Sequence, residues 1–101
     1  MRPLLLTALT IGTLACIAPA YAAGDAAAGK AKATACAMCH GPSGEGTSMA
    51  PKLAGEDLAK FVQALQDYKS GKKDNAMMKS QAAALSDADV ANLAAYYASL
   101  K

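Results

Sequence analysis

The segment Cys36-Ala37-Met38-Cys39-His40 holds the only histidine of the chain and two of its three cysteines. Three chemistries suit such a C-x-x-C-H stretch. A redox dithiol needs a strand before the pair and a helix beginning at the first cysteine, whose N-terminus lowers the thiol pKa. A structural zinc site needs four ligands, typically from a second cysteine pair or a histidine pair. In the third, both thiols add to the vinyl groups of a haem as thioethers, and the adjacent imidazole becomes an axial ligand of the iron.

The rest of the chain separates these readings. Zinc finds only Cys36, Cys39 and His40. The dithiol finds no strand, because beyond residue 22 the β-branched residues are only Val62, Val90, Thr34 and Thr47, which points to an all-helical fold. Haem attachment uses all three residues: cysteines three apart share a helical face, and the next residue projects toward the ring centre. A second axial position remains for a methionine thioether, a soft ligand that raises the reduction potential. Met49, Met77 and Met78 lie downstream. Met77 and Met78 stand in a polar, lysine-rich stretch where core packing is a poor explanation for a methionine, so one of the two is the expected ligand. Met38 reads as a spacer, and Met49 as a pocket-lining or surface residue.

The compartment follows from the start of the chain. Met1 and Arg2 precede an apolar run, Leu4 to Ala18, that is short for a bilayer span, and Ala20 and Ala22 form an A-x-A cleavage signal. Residues 1–22 therefore read as a secretory signal peptide and residues 23–101 as one domain. Cys16 reads as part of the removed segment and not as a lipid-anchored cysteine, since Thr13 fits a lipidation signal poorly and the residues after Cys16 stay apolar. In an oxidising compartment the two remaining thiols are expected to be bonded to something.

Ten basic residues against eight acidic ones are too balanced for nucleic-acid binding, and no direct membrane insertion is expected once the leader is removed. A domain this short rarely builds a sufficient core alone. Its apolar residues are mostly alanine, with one phenylalanine and no tryptophan, so a large buried prosthetic group would supply the missing bulk.

Three main helices must position these residues. The first begins at Asp25, a good N-cap, and runs through alanines and lysines into the cysteine motif. Gly29 within it suits a close approach by another element. Four glycines and two prolines then mark a loop over residues 41–55. In the next segment Leu58, Phe61, Val62, Leu65 and Tyr68 share one helical face, preceded by acidic residues and closed by Lys69 and Gly71. A polar loop follows, with helical potential around its alanines. Ser86 and Asp89 form a weak capping box for the last helix, whose face is Val90, Leu93, Ala94, Tyr97 and Leu100.

Taken with "GDAAAGK", "CAMCHG", "APKLAGE", "LQDYKSGKKDNAMM" and "LSDADVANLAAYY", the domain resembles the class I c-type cytochromes, especially short bacterial periplasmic ones and single halves of the dihaem kind. The resemblance implies a cytochrome c fold wrapped around one covalently attached haem c, a periplasmic location, thioethers at Cys36 and Cys39, and His40 as proximal ligand. The methionine seven residues before Leu85 in the "LSD" segment is Met78, which becomes the implied distal ligand, with Met77 as fallback. Pro51 is matched to the proline whose carbonyl holds the proximal imidazole. Leu93 and Tyr97 are implied to line the haem, and Tyr96 to pack on Gly29. Where the family commonly carries a bulky aromatic in the first helix, this chain has Ala33.

An iron with both axial positions filled favours one-electron transfer over substrate chemistry, so an electron carrier is expected, with redox proteins, including membrane-bound oxidases or reductases, as donors and acceptors. Lys69, Lys72, Lys73 and Lys79 could steer acidic partners or form a solvated face. Two alternatives are a haem subunit of a larger dehydrogenase or oxidase, and a gas sensor or peroxidase with an open sixth position. The oligomeric state stays open.

Overall fold

The computed structural model describes Gly12 and residues 24–100. The cleavage site after Ala22 and Cys16 lie outside the described residues. Those described form five helices, α1 (Ala26–Lys32), α2 (Thr34–His40), α3 (Leu58–Ser70), α4 (Ala76–Ala83) and α5 (Asp87–Ser99), and no strands. The helix α5 forms the spine, with α1 packed on one part of it and α3 on another, while α4 packs on α3.

The all-helical expectation holds, but five helices stand where three main ones were expected. The first expected helix is two. At Ala33 the backbone turns to ψ −7°, and its N–H is shared between the Gly29 and Lys30 carbonyls at 2.9 and 3.3 Å. This tightened turn interrupts the regular helix, whose ψ is near −42°, just before the cysteine motif. The second difference is α4, which replaces most of the expected polar loop. Asn75 caps it, its side chain accepting from the Met78 N–H at 3.0 Å, and the alanines beyond propagate it.

Helix α1 starts as expected at Asp25, whose carboxylate accepts from the Ala27 and Ala28 amides. The Asp25 N–H in turn donates to Asn92 Oδ1 at 2.8 Å, fastening the start of α1 to α5. Gly29 is buried at this crossing. A Cβ there would overlap the Asn92 carbonyl and stand 2.8 Å from the Tyr96 Cβ, so the glycine sets the helix separation, and Tyr96 is its neighbour as the resemblance implies. Ala33, only 5% exposed, belongs to the same core.

The expected faces of α3 and α5 are the buried ones. Phe61, Val62 and Leu65 from α3 meet Val90, Leu93, Ala94 and Tyr97 from α5, while Leu58, Tyr68 and Leu100 are half-buried against them. The Phe61 and Tyr97 rings are tilted at 5.6 Å between centroids, a favourable aromatic arrangement. Helix α3 ends at Gly71 in the left-handed conformation (φ 85°), as C-terminal capping requires. Helix α5 opens with a complete capping box: Ser86 Oγ accepts from the Asp89 N–H at 3.1 Å and Asp89 Oδ2 from the Ser86 N–H at 3.0 Å.

Two stability predictions follow from these contacts. Helix propensity alone favours Gly29→Ala by about 1 kcal/mol. The obstacle is a backbone carbonyl, so the substitution is expected instead to destabilise by about 1–3 kcal/mol, read by chemical denaturation; a net gain would contradict the close crossing. The Ser86 amide, aided by Lys32 at 3.5 Å, holds the Asp89 carboxyl below its usual range. A lowered carboxylate pKa contributes stability above the ordinary carboxylate range that is lost as pH falls through the lowered value. Asp89→Asn should therefore lose less stability than the parent between neutral and strongly acidic pH, and an equal loss in both would exclude this contribution.

Candidate haem site

The motif occupies α2, with Cys36 and Cys39 both half-buried free thiols and His40 as the final residue. Cys36 is the third residue of α2 and Cys39 the sixth, so what separates the pair from a redox dithiol is the lack, among the described residues, of a strand leading into it. Burial pushes the Cys36 thiol above its ordinary pKa, partly offset by the neighbouring Tyr97 hydroxyl. Burial likewise raises the Tyr97 phenol, with the nearby Cys36 adding to it.

His40 is 5% exposed. Its Nδ1 lies 2.7 Å from the Pro51 carbonyl oxygen. A carbonyl can only accept, so Nδ1 carries the proton and, in the neutral ring, Nε2 is left as a bare lone pair. That Nε2 is the one buried side-chain nitrogen or oxygen among the described residues without a hydrogen-bond partner. An orphaned imidazole nitrogen with its tautomer fixed from the other side is the arrangement of a metal-bound histidine. Among the described residues no three His, Cys, Asp or Glu side chains gather into a metal site, so zinc lacks a ligand set here. One imidazole next to two thiols fits haem c.

The loop over residues 41–55 brings Pro51 to His40. Gly41 ends α2 with φ 98°. The His40 carbonyl accepts from the Gly46 N–H at 2.8 Å, and the Gly44 carbonyl accepts from the Leu53 and Ala54 amides at 2.8 and 2.9 Å. Thr47 Oγ1 donates to the Cys39 carbonyl at 2.5 Å and accepts from the Met49 N–H at 3.1 Å. A Cβ at Gly44 would stand 2.5 Å from Tyr97 Cε1, so the Tyr97 ring lies flush against the loop. Gly44, Gly46 and Thr47 are site residues that sequence reasoning passed over; the density of glycine between the motif and Pro51 was the available signal.

Among the other expected site residues, Leu93 is fully buried and Tyr97 is 1% exposed, both in the core that Cys36 packs against. Met78 is half-buried against the same core. Met77 is 65% exposed, and Met49 and Met38 lie on the surface at 71% and 78%. Contrary to the loop expected for it, Met78 sits in the first turn of α4, because Asn75 starts a helix there.

Comparison with known proteins agrees with this geometry. The cytochrome c family profile matches residues 26–101. Cytochrome c4 of Pseudomonas aeruginosa is 44% identical over 90 residues, covering 88% of this chain and 45% of the relative. Cytochrome c-554(547) of Halothiobacillus neapolitanus is 45% identical over 91 residues, covering 78% of this chain and all of the relative. The crystal structure of reduced recombinant cytochrome c4 from Pseudomonas stutzeri superposes with a TM-score of 0.73 at 36% identity, covering 78% of this chain and 47% of that one. The chain thus spans about half the length of the cytochrome c4 relatives it matches. With a profile match over all five described helices and relatives this similar, the chain belongs to the cytochrome c family, whose members carry electrons on covalently bound haem c.

Proposed function

We propose that the chain is a periplasmic one-electron carrier, not an enzyme, with the leader 1–22 removed and a single haem c held by the domain 23–101. Cys36 and Cys39 form the thioethers, His40 Nε2 is the proximal ligand and Met78 the distal one. The observation that carries this reading is the unpartnered, buried Nε2 of His40, whose other nitrogen is already committed to Pro51. When bound, haem c supplies a ferric/ferrous couple that moves one electron at a time.

The protein's own residues set the conditions for that couple. The Nδ1–H to Pro51 hydrogen bond makes the imidazole a stronger donor and fixes its orientation. Leu93 and Tyr97, almost without exposure, keep water from the core beside Cys36. The half-burial of Met78 favours it over the exposed Met77 as the thioether ligand, and the Asn75 cap on its amide fixes its backbone.

For partners, the proposal is redox proteins with acidic docking faces. Of the four lysines expected to steer them, Lys69 donates to the Leu85 carbonyl at 2.8 Å and Lys73 stacks over the Tyr68 ring at 5.4 Å. Lys72 and Lys79 are also exposed, and their association effect is expected to fade as salt rises. No helix among the described residues is long and apolar enough to cross a membrane.

Ligand identity and accessibility are tested together. Met78→Ala is expected to abolish the thioether-to-iron absorption band of the ferric protein, lower the reduction potential and let reduced protein bind carbon monoxide promptly at neutral pH. Met77→Ala should do none of these, and the reverse pattern would transfer the role to Met77. Prompt carbon monoxide binding by the unaltered reduced protein would defeat the carrier reading in favour of a sensor or peroxidase.

A further inference from the structure

We infer that Gly46 is a positioning residue for the proximal ligand: it clamps the Pro51 carbonyl against the His40 side chain and so holds down the reduction potential. The inference rests on the proposed ligation by His40, and concerns a residue that is itself neither a thioether attachment point nor an iron ligand.

Gly46 contacts the main chain of both residues whose hydrogen bond it would govern. Its N–H donates to the His40 carbonyl at 2.8 Å. On its other side it lies against the Pro51–Lys52 peptide: a Cβ added to Gly46 would stand 2.8 Å from the Lys52 nitrogen, 3.1 Å from the Lys52 Cα and 3.3 Å from the Pro51 carbonyl carbon. That peptide carries the oxygen that accepts from His40 Nδ1 at 2.7 Å. The result is a closed circuit, from the His40 carbonyl through Gly46 to the Pro51 carbonyl and back to the His40 ring. The circuit is braced on either side by the Thr47 N–H to Ala50 carbonyl bond at 2.8 Å and by the Gly44 carbonyl that takes the Leu53 and Ala54 amides.

Two features make glycine necessary at this point. Its φ of 88° is a conformation that side chains rarely adopt. Its neighbour is backbone, which cannot rotate aside as a flexible side chain would. A methyl group here must displace the Pro51–Lys52 peptide, lengthening the Nδ1–H bond. A weaker bond leaves the imidazole a poorer electron donor, which favours the ferrous state and raises the potential.

Gly71 supplies the control, since it shares the positive φ, at 85°, but its Cβ would meet only the Lys79 Nζ at 3.6 Å. Both Gly46→Ala and Gly71→Ala carry the backbone strain; only the first carries the push on Pro51. In haem-loaded, reduced protein, Gly46→Ala is expected to raise the potential and to speed exchange of the His40 Nδ1 proton at least about tenfold, while Gly71→Ala leaves both as in the parent. Equal behaviour of the two variants would overturn the clamp. Should Gly46→Ala accumulate no haem protein, native-state hydrogen exchange on the parent decides: the Gly46 amide and the His40 Nδ1 proton, each taken relative to its own unprotected exchange rate, should show matching protection, and a protection of Nδ1 more than about tenfold below that of the Gly46 amide would refute a shared circuit. Failure of the haem reading itself is separate, because it appears as the absence of haem from the parent protein.

Discussion

The hydrogen bond from His40 Nδ1 to the Pro51 carbonyl, 2.7 Å long, is the constraint on which the rest of the site depends. It fixes the tautomer, and with it which nitrogen is free. A buried polar atom left without a partner costs about 1–3 kcal/mol, and proteins seldom retain such a group without a use for it. Here the orphan is His40 Nε2, next in sequence to a cysteine and four residues from another. Iron ligation would satisfy it. The loop over residues 41–55 matters to function mainly because it delivers Pro51 to this ring, and Tyr97, pressed against Gly44, couples that loop to α5.

The helical scaffold is organised around the same need. Its core is small and includes Ala33, Ala82 and Ala94 beside a single phenylalanine, and among the described residues the large side chains buried completely are Tyr97 and Leu93. Domains of this size usually require a further source of stability. The close crossing at Gly29 and the two-sided capping at Ser86 and Asp89 lock the helices to one another and to their boundaries. A haem bonded through Cys36 and Cys39 would supply apolar area that the side chains do not. Stability and redox chemistry then draw on one group.

Much of this was legible in the chain itself. The five residues from Cys36 to His40 carry their chemistry in their spacing, and the faces of α3 and α5 follow the helical period because one side of each must be buried. Pro51 could be read only through resemblance to relatives, since nothing local announces that its carbonyl meets a histidine eleven positions earlier. The break at Ala33 was hidden because alanine favours helix on both sides and the turn depends on sharing one N–H between two carbonyls. Helix α4 was obscured by the lysines before it, although Asn75 followed by alanine and methionine is a usable start signal. Gly44 and Gly46 looked like ordinary loop glycines; their importance lies in what stands against them, and that is tertiary information.

Everything proposed for this site depends on covalent attachment of one haem to Cys36 and Cys39. Protein matured in a periplasm and purified should give the oxidised and reduced spectra of haem c. Acidified organic solvent should fail to extract the pigment, and the chain beginning at Ala23 should carry the added mass of one haem. A chain without haem bands, or one whose haem is fully extracted to leave both Cys36 and Cys39 unmodified, would contradict it.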